Sequence, residues 1–502
     1  MNLKRFLFVF AVCGMQALSS CSGTKNVCTV NCGGNNATVT LSISDTPPTR
    51  VSVMSMPLPI IGIALVPSTG GQVSLYAPPA PATSTTFELT RLQSDSAFIT
   101  TNSAVPPGSY TAINVTILGT GGNPGIFYNG SNTTFTISTN NPTACVPGAL
   151  CKLPPAVATT ISFPLTLHLS SGQTQWIGLD FNLNNAITTT NGISVDFTQA
   201  NVLEALTTPR TNIPVGGVDS IGDFTGIVTA VSSTSITVQS GTRGTLTAAI
   251  TGITTYTDPQ GRCSGGASIS CITPNAIVSV DALLATGGAI SAVNVDIIDA
   301  STTTADEVEG TIIFPTAVPN VAGMILYDKS VVSADPILSA STTTFGTGLF
   351  LTINPLDSTI TYNVDSGTLS SQVPGTSAAF QGSGDLKNGQ FIRVKLKNVA
   401  IVNSEITGIV TAVLLRNSVV PGTVGTTTSP SFTMNNLPSY FLDLNLSNPQ
   451  SVQTYNPGTF FEGATNVSDL ATPINRSVAI RALYLNPSKV TMPFLASKVR
   501  AN

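Results

Sequence analysis

The chain has 502 residues, of which 9% are charged, a formal net charge of −4 and one His, His168. An average soluble domain carries ~25% charged residues, and this chain offers no basic surface for a polyanion, which argues against nucleic acid as a partner. A single imidazole also leaves little room for histidine-based metal sites or for a nucleophile activated by His.

The 43 Gly and 33 Pro are spread along the chain. Thr and Val favour pleated, half-buried surfaces, whereas Gly, Pro and Asn make turns. The mixture predicts an all-β protein of short strands and many turns. A transmembrane barrel would need aromatic girdles. Against that stand one Trp, Trp176, 6% aromatic residues and a C-terminus that reads Lys498-Val499-Arg500-Ala501-Asn502.

Residues 1–20 read as a signal peptide, with Lys4 and Arg5 ahead of an apolar run from Phe6 to Ala17 that is short for a membrane span. Leu18-Ser19-Ser20-Cys21 follows and resembles a bacterial lipobox. The resemblance implies a diacylglyceryl thioether on Cys21 and a new N-terminus there. Several acyl chains hold a protein to a bilayer far better than one. Ser22, in place of Asp, resembles an outer-membrane sorting signal. The expected location is therefore the cell envelope, lipid-anchored at the outer membrane, on its periplasmic or surface face. Residues 21–36, rich in Gly, Asn, Ser and Thr, read as a flexible tether.

Strict alternation begins after the tether. Val39, Leu41 and Ile43 are apolar between Thr40, Ser42 and Ser44; Ile113, Val115 and Ile117 follow the same rule, as do Ile177, Leu179 and Phe181. Period two with one apolar face predicts half-buried antiparallel strands. Phe87 to Phe98 alone has spacing loose enough for a short helix. Three stretches carry a resemblance: Val39 to Pro47 with its Asp45-Thr46-Pro47 turn, Val105 to Ile113 with Pro107-Gly108-Ser109-Tyr110, and Gly178-Leu179-Asp180-Phe181. Over roughly 37–205 they resemble an uncharacterised domain family of bacterial and archaeal lipoproteins. That family carries no established activity. It implies an address and a β-sandwich, placed at 37–210.

The remainder contains a repeat. Thr255-Tyr256-Thr257, Thr361-Tyr362-Asn363 and Thr454-Tyr455-Asn456 each close a strand-like run. Each is followed by two further strands, around Val278–Asp281 and Ile290–Ile298, Ile392–Leu396 and Ile406–Leu415, then Val478–Arg481 and Met492–Val499. A fixed order of strands argues for tandem copies of one unit. The expected units are 218–302, 305–417 and 426–502, with Pro421 to Pro430 as a link. The pattern resembles a second uncharacterised family of barrel-like envelope domains found in tandem. Period two does not choose between sandwich and barrel for each repeat.

Six cysteines remain beyond Cys13 and Cys21: Cys28, Cys32, Cys145, Cys151, Cys263 and Cys271. In an oxidising compartment disulfides are the default, and proximity favours the three local pairs among 15 connectivities. A zinc site lacks ligands.

Candidate chemistry is sparse. His168 lies on the polar phase of a strand. Asp180-Phe181-Asn182-Leu183-Asn184 has the alternate oxygens of a calcium loop but lacks its Gly and Glu. Asp306, Glu307 and Glu309 form the densest acidic group and read as a solvated linker face. Arg393, Lys395 and Lys397 read as a cationic stripe on an edge strand. No cofactor is expected. The sequence predicts a non-enzymatic envelope lipoprotein with a structural or binding role. The alternative is a glycan-binding surface lipoprotein, for which Trp176, on the outward phase of its strand, is the candidate contact. The expected partners are the membrane through the lipid, and a glycan or an envelope protein.

Overall fold

The computed structural model describes residues 36–46, 52–118, 125–131, 133–137, 143–153, 157–188, 192–299, 306–315, 320–373, 377–442, 446 and 448–502. The expected signal peptide, Cys21, and the tether with Cys28 and Cys32 lie outside the described residues. The protein is all-β, built from several sheets. Among the described residues no helix is long and apolar enough to cross a membrane.

The N-terminal part is a sandwich of two main sheets, with a three-stranded sheet and two two-stranded sheets beside them. One sheet orders its strands Leu203–Leu206, Thr174–Asn182, Ala37–Thr46 and Ala97–Val105. Its two central strands run parallel to each other, not antiparallel as the alternation predicts, with Leu41 opposite Ile177 and Ile43 opposite Leu179. The other sheet is built on Thr159–Leu169, Gly108–Ile117 and Pro57–Pro67. The alternating residues read from the sequence meet between the sheets. Leu41, Ile43, Leu179 and Phe181 pack in one core with Ile113, Val115 and Ile161. The turn into Gly108–Ile117 is closed by Tyr110, whose hydroxyl donates to the Pro106 carbonyl at 2.6 Å. Between Phe87 and Phe98 the helix is reduced to a single 3-10 turn, Leu89–Leu92, because strands occupy both flanks.

Three sets of strands with one connectivity follow. In the first, Gly244–Ala249, Ser235–Ser240, Asp219–Val231, Ile277–Leu284 and Ile290–Asp299 are neighbours in that order, and the last returns to the first through the parallel pair Ala249 and Ser291. The second repeats the order with Gly348–Thr352, Val321–Ser330, Asp306–Pro315, Phe391–Val402 and Glu405–Thr428, closed by Leu349 opposite Ile406. The third uses Gln450–Gln453, Ser431–Asn435, the end of Glu405–Thr428, Ser477–Tyr484 and Phe494–Ala501, closed by Val452 opposite Phe494. Each set is thus a small five-stave barrel, since closure leaves no sheet edge among these staves. A short extra strand lies parallel to each last stave: Thr255–Thr257, Thr361–Val364 and Phe460–Glu462.

The expected link from Pro421 to Pro430 is a correction. Up to Thr428 it belongs to one 24-residue strand, Glu405–Thr428, shared by the second and third barrels. Val419, Val420, Thr423, Val424 and Thr426 to Thr428 supply β-branched residues that favour the pleat. Pro421 is accommodated because it faces Ala479 on one side, while pairing on the other begins only at Thr423. In the third barrel the extra parallel strand is Phe460–Glu462, not Thr454-Tyr455-Asn456.

Two disulfides lie among the described residues, Cys145–Cys151 and Cys263–Cys271, each with Cα atoms 5.8 Å apart.

Candidate functional site

Many of the charged side chains are buried, among them most of the acidic group and the cationic stripe that the sequence places at a linker and an edge. The outer face of the four-stranded sheet, polar by its alternation, is covered by the barrels. Ser42 donates to Asp219 of the first barrel at 2.6 Å, and Ser44 and Thr46 donate to Asp180 at 2.5 Å each. Arg210 stands 3.2 Å from Asp180 and 3.8 Å from Glu462 of the third barrel. Asp180 thus spends its oxygens on two hydroxyls and a guanidinium rather than on a calcium loop, and Leu183–Ala186 turns into a short helix. Among the described residues no group of three or more His, Cys, Asp or Glu is placed to hold a metal ion.

Trp176 is corrected in the same way. It does lie on the outer phase of its strand, but that face is interior. The ring is 2% exposed, packs with Val218 and Leu284, and donates Nε1–H to Ser42 Oγ at 3.0 Å. A Cβ added at Gly178 would stand 2.6 Å from the ring, so the glycine makes the space. A buried Trp is no sugar platform. His168 is exposed, with Nδ1 3.2 Å from Ser109 Oγ.

Glu307 and Glu309 are likewise not a solvated face. Both are buried, and both pair with buried Arg393, whose Nη1 lies 2.8 Å from Glu309 and whose Nε meets Glu307. Lys395 meets Asp299, and Asp306 accepts from the backbone of Val332 and Ser333. Phe391–Val402 is no edge: Asp306–Pro315 and Glu405–Thr428 flank it. Of the expected stripe only Lys397 is exposed.

These charges form an ionic core among the four parts of the molecule. Lys498 Nζ lies 2.8 Å from Asp95 and 2.9 Å from Glu462. Arg500 Nε is 2.7 Å from Glu462, and its Nη1 donates to the Asp95 carbonyl at 2.7 Å. Arg481 grips Asp281 with both Nη atoms, at 2.7 and 2.9 Å. Arg416 lies 3.0 Å from Asp365 and 3.3 Å from Asp223. Against the pull of burial, the cations hold Glu462 down to about 2 and Asp95 lower still. A buried carboxylate that outweighs its desolvation in this way depends on paired partners.

Beside this core lies a cavity of about 400 Å³ where the sandwich and the first two barrels meet. That size suits a small-molecule ligand. Its apolar lining includes Phe87, Phe98, Phe224, Phe345 and Phe391. The polar lining consists chiefly of Arg91, Arg243, Tyr327 and four carboxyl groups, Glu88, Asp223, Glu309 and Asp328. Local structure explains how each is held. Arg91 sits on the Leu89–Leu92 turn, its guanidinium carbon 3.9 Å from the Phe391 ring centre and 5.7 Å from that of Tyr327. Asp223 is carried by a bulge between Ile221 and Phe224, with positive φ, and a Cβ on the preceding Gly222 would collide with Asp95. Arg243 stands in the tight turn after Ser235–Ser240, 4.8 Å from the Phe224 ring centre.

The carboxyl groups of the wall already have donors. Glu88 accepts from Ser55 Oγ and Met56 N at 2.6 Å each. Glu309 is held by Arg393, and Asp223 by Arg416. Asp328 accepts from Ser240 Oγ at 2.8 Å, Gly241 N at 3.1 Å and Thr242 Oγ1 at 3.2 Å. Burial, with nearby Glu309, pushes Asp328 up to about 6. A carboxyl titrating there could serve as a general acid, yet these contacts fasten the Ser240–Arg243 turn to Tyr327 and Asp328.

No local pattern announces this cavity, because its walls come from segments far apart in sequence. The only cue was Asp306 to Glu309, dense acid on a strand, which needed a buried Arg opposite.

Residues 36–197 match the family described as Domain of unknown function (DUF4382), which covers most of the sandwich and none of the barrels. No curated protein matches the chain.

Proposed function

We propose that this chain is a non-enzymatic envelope protein, lipid-anchored at Cys21, that binds a small ligand in the cavity between the sandwich and the first two barrels. The observation that carries the binding role is the cavity itself: a ring-lined space with polar groups converging on it, at a junction between domains, where ligand sites are common. The anchor rests on Leu18-Ser19-Ser20-Cys21. The three barrels are read as tandem copies of one envelope domain because they share one strand order. The non-enzymatic reading rests on the wall carboxyl groups, each of which has at least one oxygen engaged in holding the structure together. A glycan is the second reading, favoured by the five phenylalanines of the lining, which could pack against a sugar ring.

Thermal shift with envelope saccharides and small organic acids tests the binding role. Thr245 lines the cavity and is exposed, so Thr245→Trp blocks the space without entering a core. A ligand that stabilises the wild type and not Thr245→Trp supports the reading. Equal stabilisation of both would place the ligand elsewhere and sink it. For the anchor, labelled palmitate is expected on the wild type and absent from Cys21→Ser.

A further inference from the structure

Resting on that cavity reading, we infer that the ligand is a small organic anion with an apolar, ring-sized body, its acid group held by Arg91. The argument is one of unmet donors. Among the described residues, the Arg91 side chain donates no hydrogen bond, and the only carboxylate within 4 Å of it is that of Asp223, at 3.9 Å. Its guanidinium lies over Phe391, and its side chain keeps 15% of its surface open in a cavity-lining position. An arginine stacked on a ring with its N–H edge free is arranged for a planar acceptor such as a carboxylate, which can take two parallel hydrogen bonds.

The surroundings support an anion and not a cation. Arg243 is the second cation of the wall, and its Nη1 is spent on the carbonyls of Gly222 and Asp223, at 3.3 and 2.7 Å. Burial pushes Arg243 down, the charges of Asp328, Asp95 and Asp223 act against that, and the repulsion from Arg91 adds to it. An incoming negative charge would relieve that repulsion. Of the four wall carboxyl groups Glu88, Glu309 and Asp328 already have protein donors, and Asp223 is paired through Oδ1 with Arg416 while its Oδ2 has no hydrogen-bond donor. The five phenylalanine rings then receive the body of the ligand, by edge or face contact.

The test uses the full-length chain and two probes of one shape, 2-naphthoate and its neutral counterpart 2-naphthamide, measured by equilibrium dialysis. Naphthoate is expected to bind about tenfold or more tightly than the amide, as a charge-assisted pair in a shielded site allows. Arg91→Gln should bring naphthoate down to the level of the amide and leave the amide unchanged. Arg91→Lys, which keeps the charge and loses the fork, should fall between them and serves if Arg91→Gln does not fold. Thr245→Trp should abolish binding of both. Equal binding of the two probes, unaffected at Arg91 but lost in Thr245→Trp, would overturn the anion and keep the cavity. Binding of neither probe, or binding that survives Thr245→Trp, would overturn both.

Discussion

The ammonium of Lys498 donates to the carboxylate of Asp95 at 2.8 Å, across 403 residues of chain. One residue belongs to the last strand of the last barrel, the other to the sandwich. With Glu462, Arg500 and Asp219 they place oppositely charged groups from three parts of the molecule in one dry cluster. A pair of this kind is weak evidence for stability when intact, but losing one member strands a buried charge, at about 3–5 kcal/mol.

Glu462→Gln gives the most direct test of that cluster. Glu462 titrates at about 2, below its ordinary value of 4.5. Its contribution is therefore full above about pH 4.5 and is lost as the pH falls towards 2. The shift corresponds to about 3 kcal/mol. Urea unfolding should show the variant less stable by that order at pH 7 and equal to the wild type near pH 2. A constant difference across the range would contradict the assignment.

Asp328 should behave in the opposite sense. Its carboxyl is raised to about 6, so the ionised form is disfavoured by the fold, and stability is lost as pH rises from about 4 through 6. Asp328→Asn removes the charge while keeping an acceptor for Gly241. Relative to the wild type it should gain stability between pH 4 and pH 8, read as a change in the urea midpoint. No change with pH would show that Asp328 is ionised without penalty.

Trp176→Ala is expected to cost about 3–5 kcal/mol, in line with loss of a large buried ring. Gly178→Ala should also destabilise, because the added methyl meets the indole at 2.6 Å. Solvent quenching of the single tryptophan's fluorescence would check the burial beforehand. Ready quenching by iodide in the native state would refute it.

The two described disulfides close short loops, with sequence separations of 6 and 8. On the chain-entropy model each contributes about 2–3 kcal/mol. Reduction should lower the urea midpoint without changing the fold, and non-reducing peptide mapping should recover Cys145 linked to Cys151 and Cys263 linked to Cys271.

Much of the fold was legible because alternation is local. Leu41, Ile43, Ile113, Val115, Ile177 and Leu179 declare their core face within a few residues, and nearby cysteines declare their partners. What alternation leaves out is the cover on the polar face. Ser42, Ser44, Asp180 and Trp176 look outward from their own sheet and are interior only because barrels dock there. Glu307 and Arg393 looked like separate surface charges because their pairing is set by a strand register spanning 86 positions. Arg91 carried no signal at all, since its environment is assembled from Tyr327, Phe391 and Asp223.

The strand Glu405–Thr428 has a consequence for descent. The second and third barrels each take staves from it, so a break within it deprives at least one of a wall. The two can be copied, lost or moved to another gene only together. The first barrel ends on its own strand Ile290–Asp299 and shares no stave with its neighbours; side chains, Asp219, Asp223 and Asp281 among them, tie it to the rest.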